Sequence, residues 1–247
     1  MGNLTGQRVW ITGGGTGIGA AAAVEMAGAG AEVIVSGRRA EPLDQVVAQI
    51  TDAGGNARAL VLDVADSDAV TAAADDIGRV DILVASAGLN VPKRGMDVLS
   101  AKDWDLVVNV NLNGMFYPAQ AVLPAMRANG GGLIIMISSW AARYASRLTG
   151  AAYSVTKRAV LALNESINEE EGANGVRSTV IMPGEIATDI LKTRPTPPSD
   201  EDMGKMLKSE DLAATIRFVA EMPPHACINE ILISPTWNRF YQGFDEL

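Results

Sequence analysis

The chain has 247 residues, 48% of them hydrophobic and 20% charged, with a net charge of −9. That length suits one large α/β domain spanning 1–247, and the strand-sized apolar runs fall short of the ~20 residues that cross a bilayer, so neither disorder nor a membrane protein is indicated. The negative charge disfavours nucleic-acid binding, and one cysteine (Cys227) and one histidine (His225) exclude an internal disulfide and leave too few ligands for zinc, so no metal is expected.

Met1 to Gly6 carry no basic-then-apolar leader, and a cytoplasmic location is expected. Arg8 to Thr12 is a short apolar strand, and Gly13 to Gly19 then opens an alanine-rich helix from about Ala20 to Ala29. The glycines at Gly13, Gly15, Gly17 and Gly19, with Thr16 and Ile18 among them, permit a tight turn against a ligand. The helix N-terminus offers free N–H groups to a pyrophosphate. A plain glycine turn is the alternative, but the strand before and helix after favour the nucleotide. A second strand, Ala31 to Ser36, ends in Arg38 and Arg39 where an acidic residue would bind an adenosine ribose. That points to NADP in preference to NAD, with NAD still possible; otherwise the two arginines only decorate a solvated loop.

The third strand, Ala57 to Leu62, ends in Asp63-Val64, and a helix from Ser67 to Asp76 returns to the fourth, Asp81 to Ala85. Such alternation predicts a parallel, doubly wound sheet with ligands beyond the strands' carboxyl ends, where Asp63, Val64, Ala87 and Gly88 fall. Asp63 could bond an adenine amine or cap the following helix. Residues 101–129 read as helical, interrupted by Asn109, Asn111 and Asn113. Asparagine side chains compete for backbone hydrogen bonds, which suggests a local distortion or a break between two helices.

The fifth strand, Leu133 to Ile137, places Ser138, Ser139 and Trp140 at the same edge. In the loop that follows, Arg143 and Arg147 are expected to face water. Tyr153 and Lys157, four apart, share one face of a helix running to about Glu171, and a phenol beside a fixed cation loses its proton more easily. A half-buried aromatic and a solvated lysine are the alternative. After the sixth strand, Ser178 to Met182, come Pro183, Gly184, Glu185, Ile186 and Thr188, then a proline-rich stretch (192–202) expected to be mobile, within a substrate-binding loop over 189–208. Leu207 to Ala220 reads as helix and Glu230 to Ile233 as the last strand. The tail, with Trp237, Phe240, Tyr241 and Phe244, is expected to pack on a neighbouring subunit or over the cleft.

Together these residues resemble the short-chain dehydrogenase/reductase family in its short single-domain form. The resemblance rests on Thr12-Gly13-x-x-x-Gly17-Ile18-Gly19, Asp63, Ala87-Gly88, Asn111, Ser139, Tyr153-x-x-x-Lys157 and Pro183-Gly184 with Thr188. It implies a Rossmann-type sheet of about seven parallel strands, a nicotinamide cofactor, and the tetrad Asn111, Ser139, Tyr153 and Lys157. In that scheme Tyr153 exchanges a proton with the substrate oxygen and Ser139 hydrogen-bonds it. Lys157 lowers the Tyr153 pKa and binds the nicotinamide ribose, Asn111 holds a water, and Thr188 with the Ile186 backbone holds the carboxamide. The family also implies a homotetramer or dimer. Ser139 lies fourteen residues before Tyr153, one more than the family's usual spacing, which leaves Ser138 as an alternative.

The function this predicts is an NADP-preferring oxidoreductase interconverting a ketone or aldehyde and an alcohol. A non-catalytic dinucleotide-binding regulator or scaffold is the rival, and Tyr153, Lys157 and Asn111 argue against it because a sensor needs no proton relay. A sugar-nucleotide epimerase would need a longer chain. Asn90, Ser139, Trp140, Tyr153, Glu185, Ile186 and Met203 are expected to shape the substrate pocket, with Trp140 suggesting an apolar or aromatic substrate.

Overall fold

Along the inner strands successive side chains are buried on alternate sides, Val9 and Ile11 into one apolar cluster and Trp10 between them into another. The same alternation recurs at Val33/Ile34/Val35 and Leu133/Ile134/Ile135. A sheet buried on both faces must be covered by helices on both, which is the condition for parallel strands joined by helical crossovers. Each large side chain removed from water contributes roughly 1.5–3 kcal/mol, so these two clusters hold the sheet between its helical layers.

The computed structural model describes residues 3–188, 191, 194, 196–238 and 241. Its strands are β1 (Arg8–Thr12), β2 (Glu32–Gly37), β3 (Asn56–Val61), β4 (Ile82–Ala85), β5 (Gly132–Ile137), β6 (Val176–Pro183) and β7 (Glu230–Ile233). They form one seven-stranded sheet in the order β3-β2-β1-β4-β5-β6-β7, with every pairing parallel. This is the doubly wound, Rossmann-type architecture the sequence predicts. The order reverses between β1 and β4, where such sheets bind ligands beyond their carboxyl ends.

The helices are α1 (Gly17–Gly28), α2 (Ala40–Asp52), α3 (Ser67–Ile77), α4 (Ala101–Val108), α5 (Gly114–Ala128), α6 (Ala151–Glu171), α7 (Asp200–Lys205) and α8 (Ser209–Ala220). Helix α1 starts three residues earlier than its alanines suggest. A β-carbon at Gly19 would stand 2.3 Å from the Gly13 carbonyl oxygen, so this glycine lets the first helical turn press on the loop after β1. Between α4 and α5 the asparagine cluster forms one π-helical turn, Asn109–Asn113, the distortion anticipated from its composition.

Helix α7, capped by Ser199, begins within the proline-rich stretch, of which residues 192, 193 and 195 lie outside the described residues, and Leu207 beyond it makes a parallel bridge with Ile186. Among the described residues, no helix is long and apolar enough to cross a membrane and no cluster of acidic, histidine or cysteine side chains could hold a metal ion. Phe240 and Phe244 lie outside the described residues.

Candidate active site

Two adjoining cavities run along the carboxyl edge of the sheet, of about 470 Å³ and 220 Å³. The smaller begins at the glycine turn: Gly13, Gly15 and Thr16 form one wall, Arg38 and Arg39 another, and Asp63, Val64, Ala87 and Gly88 close the rest. Thr12 links two strand ends here, its hydroxyl accepting from the Ser86 and Ala87 amides at 3.2 and 3.4 Å. Asp63 does not cap the next helix. Its carboxylate accepts the Ala65 amide at 3.0 Å, while Asp66 accepts from Asp68 and Ala69 and serves as the cap of α3. The capping alternative is therefore corrected: the acceptor sits immediately before the helix, and Asp63 is left facing the cavity.

The larger cavity contains Gly17, Ile18, Ser139, Trp140, Tyr153 and Lys157. Pro183, Glu185, Ile186 and Thr188 enter from the end of β6, and Asn90 from the loop after β4. Gly19 and Gly184 line neither cavity; they hold the loops behind it, Gly184 by donating to the Ile233 carbonyl at 2.7 Å. Asn90 donates to the Thr149 carbonyl at 2.9 Å, pinning the loop before α6. Met203, expected in the pocket, is not part of this lining.

Helix α6 carries Tyr153 and Lys157 on one face, with Tyr153 half-buried and Lys157 drawn out of water. Lys157 is 4% exposed, donates to the Ile137 carbonyl at 2.8 Å, and lies 5.7 Å from the Tyr153 ring centre. Burial lowers its pKa from 10.5 to about 8. Burial also raises the Tyr153 pKa, while a hydrogen-bonding interaction with Ser139 and the charges of Arg194 and Arg94 pull it back. The expectation that a neighbouring lysine makes this phenol more acidic is thus corrected for the chain alone, because desolvation disfavours phenolate and outweighs the charges.

The two serines after β5 divide the work. Ser138 is buried and donates to the Lys157 carbonyl at 2.6 Å, which fastens α6 to the sheet. Ser139 faces Tyr153, its oxygen also accepting the Ala141 amide at 3.1 Å. The segment between Ser139 and Tyr153 forms a 3₁₀ turn at Trp140–Ala142 and a hydrogen-bonded turn from Ser146 to Thr149. Asn111 is fully buried and lines neither cavity. Its side chain accepts the Leu89 amide at 2.8 Å and donates to the Leu89 carbonyl at 2.9 Å, locking the π-turn to the loop after β4.

Beyond Tyr153 the cavity is walled by rings and guanidinium groups. Trp140 stacks on Tyr144 at 4.7 Å between ring centres and meets the edge of Tyr241 at 5.6 Å, so one tail aromatic reaches over the cleft. Trp237 lies elsewhere, under the Lys205 ammonium at 4.7 Å. Arg143 pairs with Glu230 instead of only facing water, and Arg147 is exposed. Sequence reasoning did not single out Arg94 or Arg194, both of which line the cavity; Arg194 falls within the expected substrate-binding loop over 189–208, whereas Arg94 stands in no motif or periodic stretch.

The model of the short chain dehydrogenase family matches residues 7–198. The chain belongs to that family, which is one of oxidoreductases. It is 38% identical to the short-chain reductase protein NovJ of Streptomyces niveus, over 85% of each protein. A metagenomic short-chain oxidoreductase solved with NADP superposes with a TM-score of 0.83 at 31% identity, covering 95% of this chain and 99% of that one. An alcohol dehydrogenase from the archaeon Thermococcus sibiricus, complexed with 5-hydroxy-NADP, gives a TM-score of 0.84 at 26% identity, covering 94% and 98%.

Proposed function

We propose that the protein is an NADP-preferring oxidoreductase that interconverts a ketone or aldehyde and an alcohol, with Tyr153 as general acid and base. The observation that carries this reading is that Tyr153 and Ser139 line one cavity, with the Lys157 ammonium buried 5.7 Å from the Tyr153 ring centre. The close-packed glycine turn fits a dinucleotide, because its bare backbone lets a pyrophosphate approach the start of α1. Arg38 and Arg39 would meet a 2′-phosphate, Asp63 and Val64 the adenine, and Ile186 and Thr188 the carboxamide.

When bound, the nicotinamide supplies or accepts the hydride. In reduction, Ser139 donates a hydrogen bond to the carbonyl oxygen and Tyr153 gives that oxygen its proton. The raised Tyr153 pKa keeps the phenol protonated and ready to donate. In oxidation Tyr153 takes the proton back, a step that needs the phenolate. Lys157 sits behind the ring as the charge that stabilises that phenolate, and Asn111 positions the loop after β4 by its bonds to Leu89.

Residues 189–208 would border the substrate, and the chain would act as one dinucleotide-binding and catalytic unit in the cytoplasm. Exposed Leu106, Phe116 and Val155, on α4, α5 and α6, support assembly into a dimer or tetramer; light scattering that gives only a monomer mass would remove that part. The central test is the initial rate of NADPH and NADH oxidation over a panel of ketones and aldehydes, with Tyr153→Phe alongside. Turnover by the parent and not the variant is expected. Equal turnover by both would overturn the role of Tyr153.

A further inference from the structure

Arg94 and Arg194 both line the larger cavity, and the proton-transfer reading uses neither to hold a substrate. Arg94 is 7% exposed, and its Nη1 donates to the Leu148 carbonyl at 3.2 Å. The fold builds it in. Gly150, which precedes α6, has φ +76°, and a β-carbon there would stand 2.7 Å from both Cβ and the carbonyl oxygen of Arg94. The segment bearing Arg94 therefore lies directly on the start of the helix that carries Tyr153. Arg194 reaches the same space from after β6, with 10% of its side chain exposed, and is held by an ion pair to Glu185 at 2.6 Å.

Bringing two guanidinium groups into one half-dry cavity is costly, because like charges repel more strongly where water is scarce. Their mutual effect is visible: burial first, then the Arg194 charge, lowers the Arg94 pKa, and both arginines act on Tyr153. An anion between them would relieve that repulsion. A guanidinium offers five N–H donors in a planar fork, which can serve a carbonyl of the chain and an incoming carboxylate together. The chain as a whole carries −9, so attraction for an acid must come from such a local pair. The stacked Trp140 and Tyr144 supply an apolar wall beside it.

We propose that the substrate carries a carboxylate near its reacting carbonyl or alcohol, gripped by Arg94 and Arg194, and that this charge decides which carbonyl compounds are accepted. The inference rests on reading the cavity as a carbonyl-reduction site, and it names the substrate class for that site. Glu185 then has a double effect, holding Arg194 in place while competing with the substrate for it.

The test is initial-rate kinetics with NADPH on matched pairs, 4-acetylbenzoate against its methyl ester and 2-oxo-4-phenylbutanoate against its ethyl ester. Parent, Arg94→Gln, Arg94→Lys and Glu185→Gln are compared, and NADPH fluorescence checks that each variant is folded. The acid should be preferred by about tenfold or more in kcat/KM, mostly through KM, as one or two charge-assisted hydrogen bonds imply. That preference should fall to about unity in Arg94→Gln, return in part in Arg94→Lys and grow in Glu185→Gln. A parent that favours the esters, or treats both alike, overturns the proposal while leaving the reductase reading standing.

Calorimetry of benzoate and 4-phenylbutanoate against their amides, titrated into the parent with NADP, reads the same site without turnover. Acid-selective binding without reduction of any ketone would support the carboxylate site and sink the reductase reading. Equal binding of acid and amide counts against the proposal. If Arg94→Gln fails to bind NADPH, Glu185→Gln and calorimetry on the parent decide.

Discussion

Around the glycine turn, the groups that would meet a cofactor come from short stretches at the ends of β1 to β4, each already in place within its own βα unit. Around Tyr153 the wall is assembled from distant places: the glycine turn, the loop after β4, the turn after β5, the start of α6 and the segments after β6. The first region depends on backbone shape, so its signal is glycine spacing and is local. The second depends on side chains that meet only after the chain has folded. The first region should therefore fail when its glycine backbone is crowded, and the second when its reacting side chains are changed.

The sharpest break is expected at Tyr153. Tyr153→Phe keeps the ring and loses the proton, so turnover should fall by about 10²–10⁴-fold, with NADPH affinity nearly unchanged by fluorescence titration. On the other side, Gly19→Val puts a branched side chain against the Gly13 carbonyl. It should cost roughly 1–3 kcal/mol of stability and weaken NADPH binding, read by denaturant unfolding and the same titration; full affinity would show that the turn does not shape the site.

Arg38→Asp is a smaller change, exchanging a cation for a repulsive carboxylate. It should shift the NADPH-to-NADH ratio of kcat/KM by about tenfold or more towards NADH; an unchanged ratio would place Arg38 in solvent.

Lys157 gives a pH dependence. With its pKa lowered from 10.5 to about 8, its charge is complete below that pH and lost above it, so a rate that depends on the ammonium should decline above about pH 8. Between about 8 and 10.5 the unfolded chain binds more protons at this group than the folded one. This residue alone therefore adds stability as pH rises through that window. A Lys157→Met variant should lose the added slope in an unfolding series against pH. The least effect belongs to Arg147→Ala, exposed and outside both cavities; it should change stability by less than about 0.5 kcal/mol and kcat/KM by less than twofold.

What could be read from the chain was whatever a local pattern forces. The alternation of short apolar strands with helices, the crossover lengths and the glycine turn predict a parallel doubly wound sheet, because strand and helix periods are properties of neighbouring residues. The four-residue step from Tyr153 to Lys157 fixes their common helical face for the same reason, and the asparagine run announces the π-turn. Tertiary structure decided the rest. Ser138 and Ser139 are indistinguishable by spacing, and only the packing of α6 against β5 turns one to the helix backbone and the other to Tyr153. Asp63 gives up the cap to Asp66, and the Tyr153 pKa rises where the pattern predicts a fall. Arg94 and Arg194, a hundred residues apart, converge with no repeat to announce them. Burial and charge at a point in space are sums over everything packed around it, and no single stretch of sequence holds those sums.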